Sequence, residues 1–134
     1  VLEFTIPGVA KPQGSKRGFI TKSGRVALVE QAGRPLKQWR DTVTLIATRA
    51  RINEHWDAFA EGPMGVSLVF GMRRPTKPKF DTPAVRPDID KLVRAVLDGL
   101  TDAHLWKDDG QVVSLRAEKV YGGEGVSVRV WKIL

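Results

Sequence analysis

A chain of 134 residues with no cysteine has room for one domain around one core and no means to build a disulfide or a thiolate-held zinc or iron–sulfur site. Lys and Arg number 22 against 15 Asp and Glu, a net charge of +7, which attracts polyanions, nucleic acid above all. No apolar run is long enough to span a bilayer, and no basic helix carries an aromatic-rich face for a membrane surface; a reducing, cytoplasmic setting is expected, the host cytoplasm if a phage encodes the chain.

The opening "VLEFTIPGVA" is too short, and at Glu3 too acidic, for a signal peptide. Residues 2–6 alternate as a strand does, closed by Pro7 and Gly8. Residues 10–34 read as a long basic loop, with a short hairpin around "KSGR". A helix starts at Pro35, with proline in its first turn. Leu36, Trp39, Val43, Ile46 and Ala50 recur at steps of three and four and give it one apolar face. Asn53, Gly62 and Pro63 mark the break after it. Residues 64–72 alternate, so Met64, Val66, Leu68, Phe70 and Met72 share one face of a strand. The loop 73–87 carries four prolines and the cations Arg73, Arg74, Lys77, Lys79 and Arg86. A second helix follows over 88–100, buried along Ile89, Leu92, Val93, Val96, Leu97 and Leu100, with Asp88 as N-cap and Gly99 near its end. After the connection 101–110, strands at 111–121 and 126–133 close the chain, and the "GGEG" between them reads as a hairpin turn. The order β-α-β-α-β-β predicts a single α+β domain over 1–134: a small mixed sheet with two helices packed on it.

Acids stand at the edge of this basic surface. Asp88 and Asp90 open the second helix, where capping and the helix dipole favour carboxylates for purely structural reasons. "KDDG" puts Asp108 and Asp109 in a turn, an ordinary place for acids beside glycine. A helix over 88–100 runs about 16–18 Å, and the residues after it reach about 33 Å when extended. The chain therefore has length enough to return and set Asp109 beside Asp88 and Asp90, with the strand 111–121 starting at the helix N-terminus. Converging carboxylates repel one another and raise each other's pKa. A hard divalent cation removes that conflict and handles a scissile phosphate and its water. The expected cofactor is Mg²⁺, with Mn²⁺ as a substitute, held by Asp88, Asp90 and Asp109 with Asp108 in support.

"RPDIDKLVRAVLDGL" and "LWKDDGQVV" together resemble the RusA family of Holliday-junction resolvases of bacteria and phages. The family pattern has a D-x-D pair opening a helix, a basic residue on that helix, D-x-L further along, and D-D-x-x-V before a strand. Asp88, Asp90 and Asp109 match its essential acids, Asp108 the neighbour of the last, Asp98 and Leu100 the helix end, and Gln111 and Val112 the strand start. Residues 86–113 carry the close match; "QGSKRGF" and "LKQWRDTV" resemble the family more loosely. Lys91 stands where many relatives have Asn, and Arg94 where many have Lys. Arginine can clamp a phosphate in bidentate fashion but gives up a proton poorly. The resemblance implies a RusA-like fold, a symmetric homodimer, Mg²⁺ dependence and paired nicks across a four-way junction. One acid cluster per chain against a substrate cut twice also favours a two-fold dimer.

On that reading Asp88, Asp90, Asp109 and Arg94 are the catalytic candidates, with Lys91 helping to steady the phosphate. Arg73, Arg74, Lys77, Lys79 and Arg86 are placed on DNA, and Lys16, Arg17, Lys22 and Arg25 on the junction arms. Phe80 either stacks at a branch point or orders its loop. Trp39 and Trp106 are expected in the core, Trp131 in core or dimer, and His55 and His104 at the surface or at helix caps. The rival readings are a flap or fork nuclease, a non-catalytic DNA-binding module whose acids only cap a helix, and a nucleotide phosphohydrolase.

Overall fold

The computed structural model describes residues 1–14, 16–20, 22–24, 26–30 and 33–134, with 16–20 and 26–30 described by their backbone alone. The elements are β1 (Leu2–Pro7), β2 (Lys16–Ile20), β3 (Val26–Glu30), α1 (Gly33–Asn53), β4 (Met64–Met72), α2 (Ile89–Asp102), β5 (Val112–Tyr121) and β6 (Gly125–Lys132), with a 3-10 turn at Asp109–Gln111 before β5. The fold is α+β, with a four-stranded mixed sheet in the order β1-β6-β4-β5. β2 and β3 form the short antiparallel hairpin expected around "KSGR".

Alternation decides which side of the sheet is buried. Leu2 and Ile6 of β1, Met64, Val66, Leu68 and Phe70 of β4, and Val126, Val128 and Val130 of β6 all turn to one face. There they form a single core cluster with Leu36, Trp39, Val43 and Ala47 of α1 and Leu92, Val93, Val96 and Leu100 of α2. Each large side chain buried this way contributes about 1.5–3 kcal/mol. The two helices meet at Gly99, where a Cβ would press on Val43. Gly99 thus lies inside α2 as a contact point, and the helix continues past it to Asp102.

Histidines end both helices. His55 and His104 have φ of 55° and 63°, in the left-handed region. At α1 the N–H of His55 donates to the carbonyl of Ile52 and that of Trp56 to Arg51; at α2 the N–H of His104 donates to Thr101 and that of Leu105 to Leu100. This is the same pair of bonds twice, a Schellman motif in which histidine takes the place usually held by glycine. The His104 ring also stacks on Phe59 at 4.3 Å.

β5 and β6 do not form the expected hairpin. β4 lies between them, parallel to β5 and antiparallel to β6. The "GGEG" segment instead carries the chain over the end of β4. The Gly122 N–H donates to the Met72 carbonyl at 3.0 Å, and a Cβ on Gly71 would collide with the Gly123 carbonyl oxygen. Glycine is needed here for a close crossing of two backbones rather than for a turn.

Candidate active site and nucleic-acid interface

α2 is a crossover helix. It leaves the C-terminal end of β4 through the loop 73–88 and returns to the N-terminal end of β5, which pairs in parallel with β4 from Met64↔Val112 to Met72↔Tyr121. Asp88 occupies the N-cap position with extended backbone, yet its side chain makes no capping hydrogen bond. Its nearest ionic partner is the Lys91 ammonium at 3.8 Å. Capping thus accounts for where the chain turns but not for the carboxylate. Asp90 is exposed in the first turn, and Arg94 is exposed one turn on. Asp98 follows after a second turn on the same stripe, about 12 Å from Asp90 along the axis. Asp98 accepts from the Gln13 side-chain amide at 2.6 Å, and the Gln13 N–H donates to the Lys91 carbonyl at 3.0 Å. These bonds tie the segment after β1 along α2.

The "KDDG" turn is held from two sides. Asp108 caps the 3-10 turn by accepting from the Gly110 N–H. The Gln111 side chain accepts from the N–H groups of Lys107 and Asp108 at 2.9 and 3.1 Å and donates to the carbonyls of Ala60 and Gly62 at 2.9 and 3.0 Å. Asp108-x-x-Gln111 is a capping box, a pattern legible in the sequence. It gives Asp108 a structural task and leaves Asp109 beside it. Partial burial, then a hydrogen bond with Asp108 and the charges of Asp98 and Asp108, hold the Asp109 carboxyl above the ordinary carboxylate pKa.

The expected convergence of Asp109 on Asp88 and Asp90 does not occur within one chain. Lys119, near the end of β5, donates from its ammonium to the carbonyls of Val85 and Pro87 at 2.6 and 2.9 Å. The start of α2 is therefore beside Lys119, and Asp109 precedes Val112, about 23 Å down the strand at the usual rise. Parallel pairing is the reason, since a crossover helix puts its own start and the next strand's start at opposite ends of the sheet. Among the described residues no group of three or more His, Asp or Glu side chains is placed to hold a metal ion. The donors suit a hard cation in kind, being carboxylate oxygens, but the described residues of one chain do not bring three of them together in one place.

The basic residues do gather at the Asp88 end. Arg73, Arg74, Lys77, Lys79 and Arg86 are all exposed. A groove of about 510 Å³ beside Asp88 is lined by Lys11, Arg86 and Lys91. A second groove of about 510 Å³, lined by Arg73, Lys77, Lys79 and Phe80, shares Met72 and Arg86 with the first. Phe80 is 57 % exposed and sits on the wall of this basic groove. Of the other basic group, Lys22 is exposed. Lys16 and Arg17 lie on β2, where only the backbone is described, and Arg25 lies outside the described residues. Trp39 and Trp106 are buried in the core, while Trp131 covers Gly65 on the open face of the sheet. No helix among the described residues is long and apolar enough to cross a membrane.

Gln13, Gln111 and Lys119 place the candidate site; the sequence singles out Gln111, at the strand start of the family pattern, and passes over Gln13 and Lys119. Only Gln111 carried a local signal, its capping box. Gln13 and Lys119 act on segments far away in the chain, and no spacing announces them.

Comparison with known proteins adds two findings. The family model described as "Endodeoxyribonuclease RusA" matches residues 9–131. The chain is also similar to a Bacillus subtilis (strain 168) protein described as "Uncharacterized protein YqaN", 28 % identical over 131 residues, covering 92 % of this chain and 89 % of that one.

Proposed function

Since the chain belongs to the RusA family of endodeoxyribonucleases, we propose that it resolves four-way DNA junctions as a homodimer, by paired symmetric nicks that depend on a divalent cation, Mg²⁺ or Mn²⁺. The observation that carries this is the environment of Asp88. Its carboxylate is not engaged in capping, and it lies in a groove with Lys11, Arg86 and Lys91, continuous with the basic groove of the loop 73–87. A helix cap has no need of that setting, whereas a phosphodiesterase needs acids at the point where cations hold the backbone.

Arg73, Arg74, Lys77, Lys79 and Arg86 bind phosphates of the junction arms, with Lys16, Arg17 and Lys22 as outlying contacts. Asp88, Asp90 and Asp109 are the essential carboxylates, and Asp108 holds the turn that presents Asp109. Arg94 and Lys91 clamp the phosphate under attack. Arg94 acts as a fixed charge and not as a proton donor, because guanidinium stays protonated.

The test is nicking of synthetic four-way junctions, forks, flaps and linear duplex, with Mg²⁺ or with EDTA. The junction should be cut with Mg²⁺ and left intact with EDTA. Asp88→Asn, Asp90→Asn and Asp109→Asn should each lower the rate by about a hundredfold or more while junction binding persists. Cutting of flaps or forks in preference to junctions would transfer the assignment to a branched-DNA nuclease of that kind. Near wild-type cutting by the Asn variants would remove these acids from the reaction.

A further inference from the structure

The Phe80 ring does little for the packing of its own loop. It is 57 % exposed and does not number among the apolar side chains packed against the core. The loop 73–87 is fastened elsewhere. Pro83 is buried, the Ala84 N–H donates to the Thr82 carbonyl at 2.8 Å, and the Lys119 ammonium holds the carbonyls of Val85 and Pro87. A large ring left in water forgoes the stabilisation that burial would bring.

The ring stands on the wall of a groove of about 510 Å³, with Met72, Pro83, Val85 and Tyr121 as further apolar walls. Sites that take small planar ligands occupy about 300–1,000 Å³. Arg73, Lys77, Lys79 and Arg86 line the same groove, and these four cations against Glu124 leave it positive. Apolar walls among cations match a nucleotide that has left its helix: a planar base joined to a phosphate on either side. Bases on aromatic rings and phosphates on cations are how single strands are held. A phosphate alone needs no apolar wall, and an apolar peptide needs no set of cations. Position adds direction. Met72 and Arg86 also line the groove of Asp88, so a strand held beside Phe80 with a phosphate on Arg86 is led towards that acid.

We propose that the groove at Phe80 is a base-binding site, which takes an unpaired base from the branch point of the DNA and stacks it on the Phe80 ring. The role given to it rests on the nuclease reading above; what it adds is the residue that recognises branching. In continuous duplex every base is paired and stacked, and extracting one costs free energy that an already unpaired base does not require. The groove therefore favours branched DNA over duplex before any bond is cut.

The test measures binding in EDTA, so that no strand is cut, on two four-way junctions of one sequence. One carries unpaired thymidines at the branch point. The other carries abasic spacers in their place, with the same charge and reach but no base. Wild type should bind the thymidine junction about tenfold or more tightly than the abasic one. Phe80→Ala should bind the two alike, and Phe80→Tyr should restore the preference. Because the ring is exposed, Phe80→Ala should melt with the wild type. Equal binding of the two junctions by wild type overturns the base site and leaves the ring to a protein partner. Retention of the preference by Phe80→Ala overturns it as well. So does a Phe80→Ala chain that melts far below wild type and weakens equally on both junctions, since the ring would then serve to order the loop. If wild type prefers the thymidine junction yet cuts no junction with Mg²⁺, the nuclease reading falls and the base site stands.

Discussion

Asp109 shows most directly how neighbours set a residue's chemistry. Its pKa is raised by partial burial and by Asp108 and Asp98, so the folded chain holds this proton more tightly than the unfolded chain does. The stability tied to the proton is fully present below the unfolded carboxylate pKa and is lost as pH rises through the raised, folded value. At neutral pH, without divalent cation, the ionised group therefore opposes folding. Asp109→Asn should raise Tm at pH 7 by about 1–3 °C, the size of a surface charge effect. That gain should disappear below about pH 4. Thermal melts at both pH values check it, and equal Tm at pH 7 would mean that neither partial burial nor the neighbouring acids disfavour the ionised group. Asp108, one residue away, has a different task, because its carboxylate caps the turn.

At the scale of elements, the loop 73–87 and α2 divide the work. The loop lines a basic groove that reaches Arg86, and α2 brings acids to the same place. If the loop holds phosphates, binding weakens steeply with salt. About five neutralised phosphates per dimer give a slope near −4 to −5 of log K against log salt. Replacing Arg73 and Arg74 by Ala should flatten the slope by about one unit for each phosphate that is no longer neutralised. Titrations of junction DNA at several salt concentrations measure this, and an unchanged slope removes the loop from the interface. α2 itself is positioned from three directions. Its stripe from Leu92 to Leu100 is buried on the sheet, whereas Ile89, expected to begin that stripe, is exposed at the helix start; Gly99 lets it close on Val43 of α1, and Gln13 pins the segment after β1 along its exposed side.

For the whole molecule, the proposed dimer sets how many strands are cut. A substrate with two-fold symmetry needs two sites, and a subunit carrying Asp90→Asn spoils one of them. Dimers of one wild-type and one Asp90→Asn subunit, purified with two tags, should convert a supercoiled cruciform plasmid mainly to nicked circles. Wild type should linearise it. Linear product from mixed dimers at the wild-type rate would mean that one site serves both strands. Sedimentation should show a dimer, and a monomer on bound junction would count against paired incision.

The sequence by itself determined the elements and where the charged groups lie along them. Alternation over 64–72 and the apolar stripe over 88–100 are local periodicities, and each shows which face a segment buries. The D-x-D pair, the double Asp turn and the basic loop 73–87 are equally local, and they carry the family resemblance. Tertiary structure decided what lies beside what. "GGEG" reads as a hairpin turn because short-range pairing is the common outcome, yet β4 inserts between β5 and β6. The connection after α2 is long enough to run either way, so its length left the position of Asp109 open. Parallel pairing with β4 then settled it. Gln13 reaches Asp98 across 85 residues, a contact no window of sequence contains. Periodicity specifies faces because burial acts on each residue separately. Neighbours are chosen by the packing of distant segments, and only the folded chain brings those together.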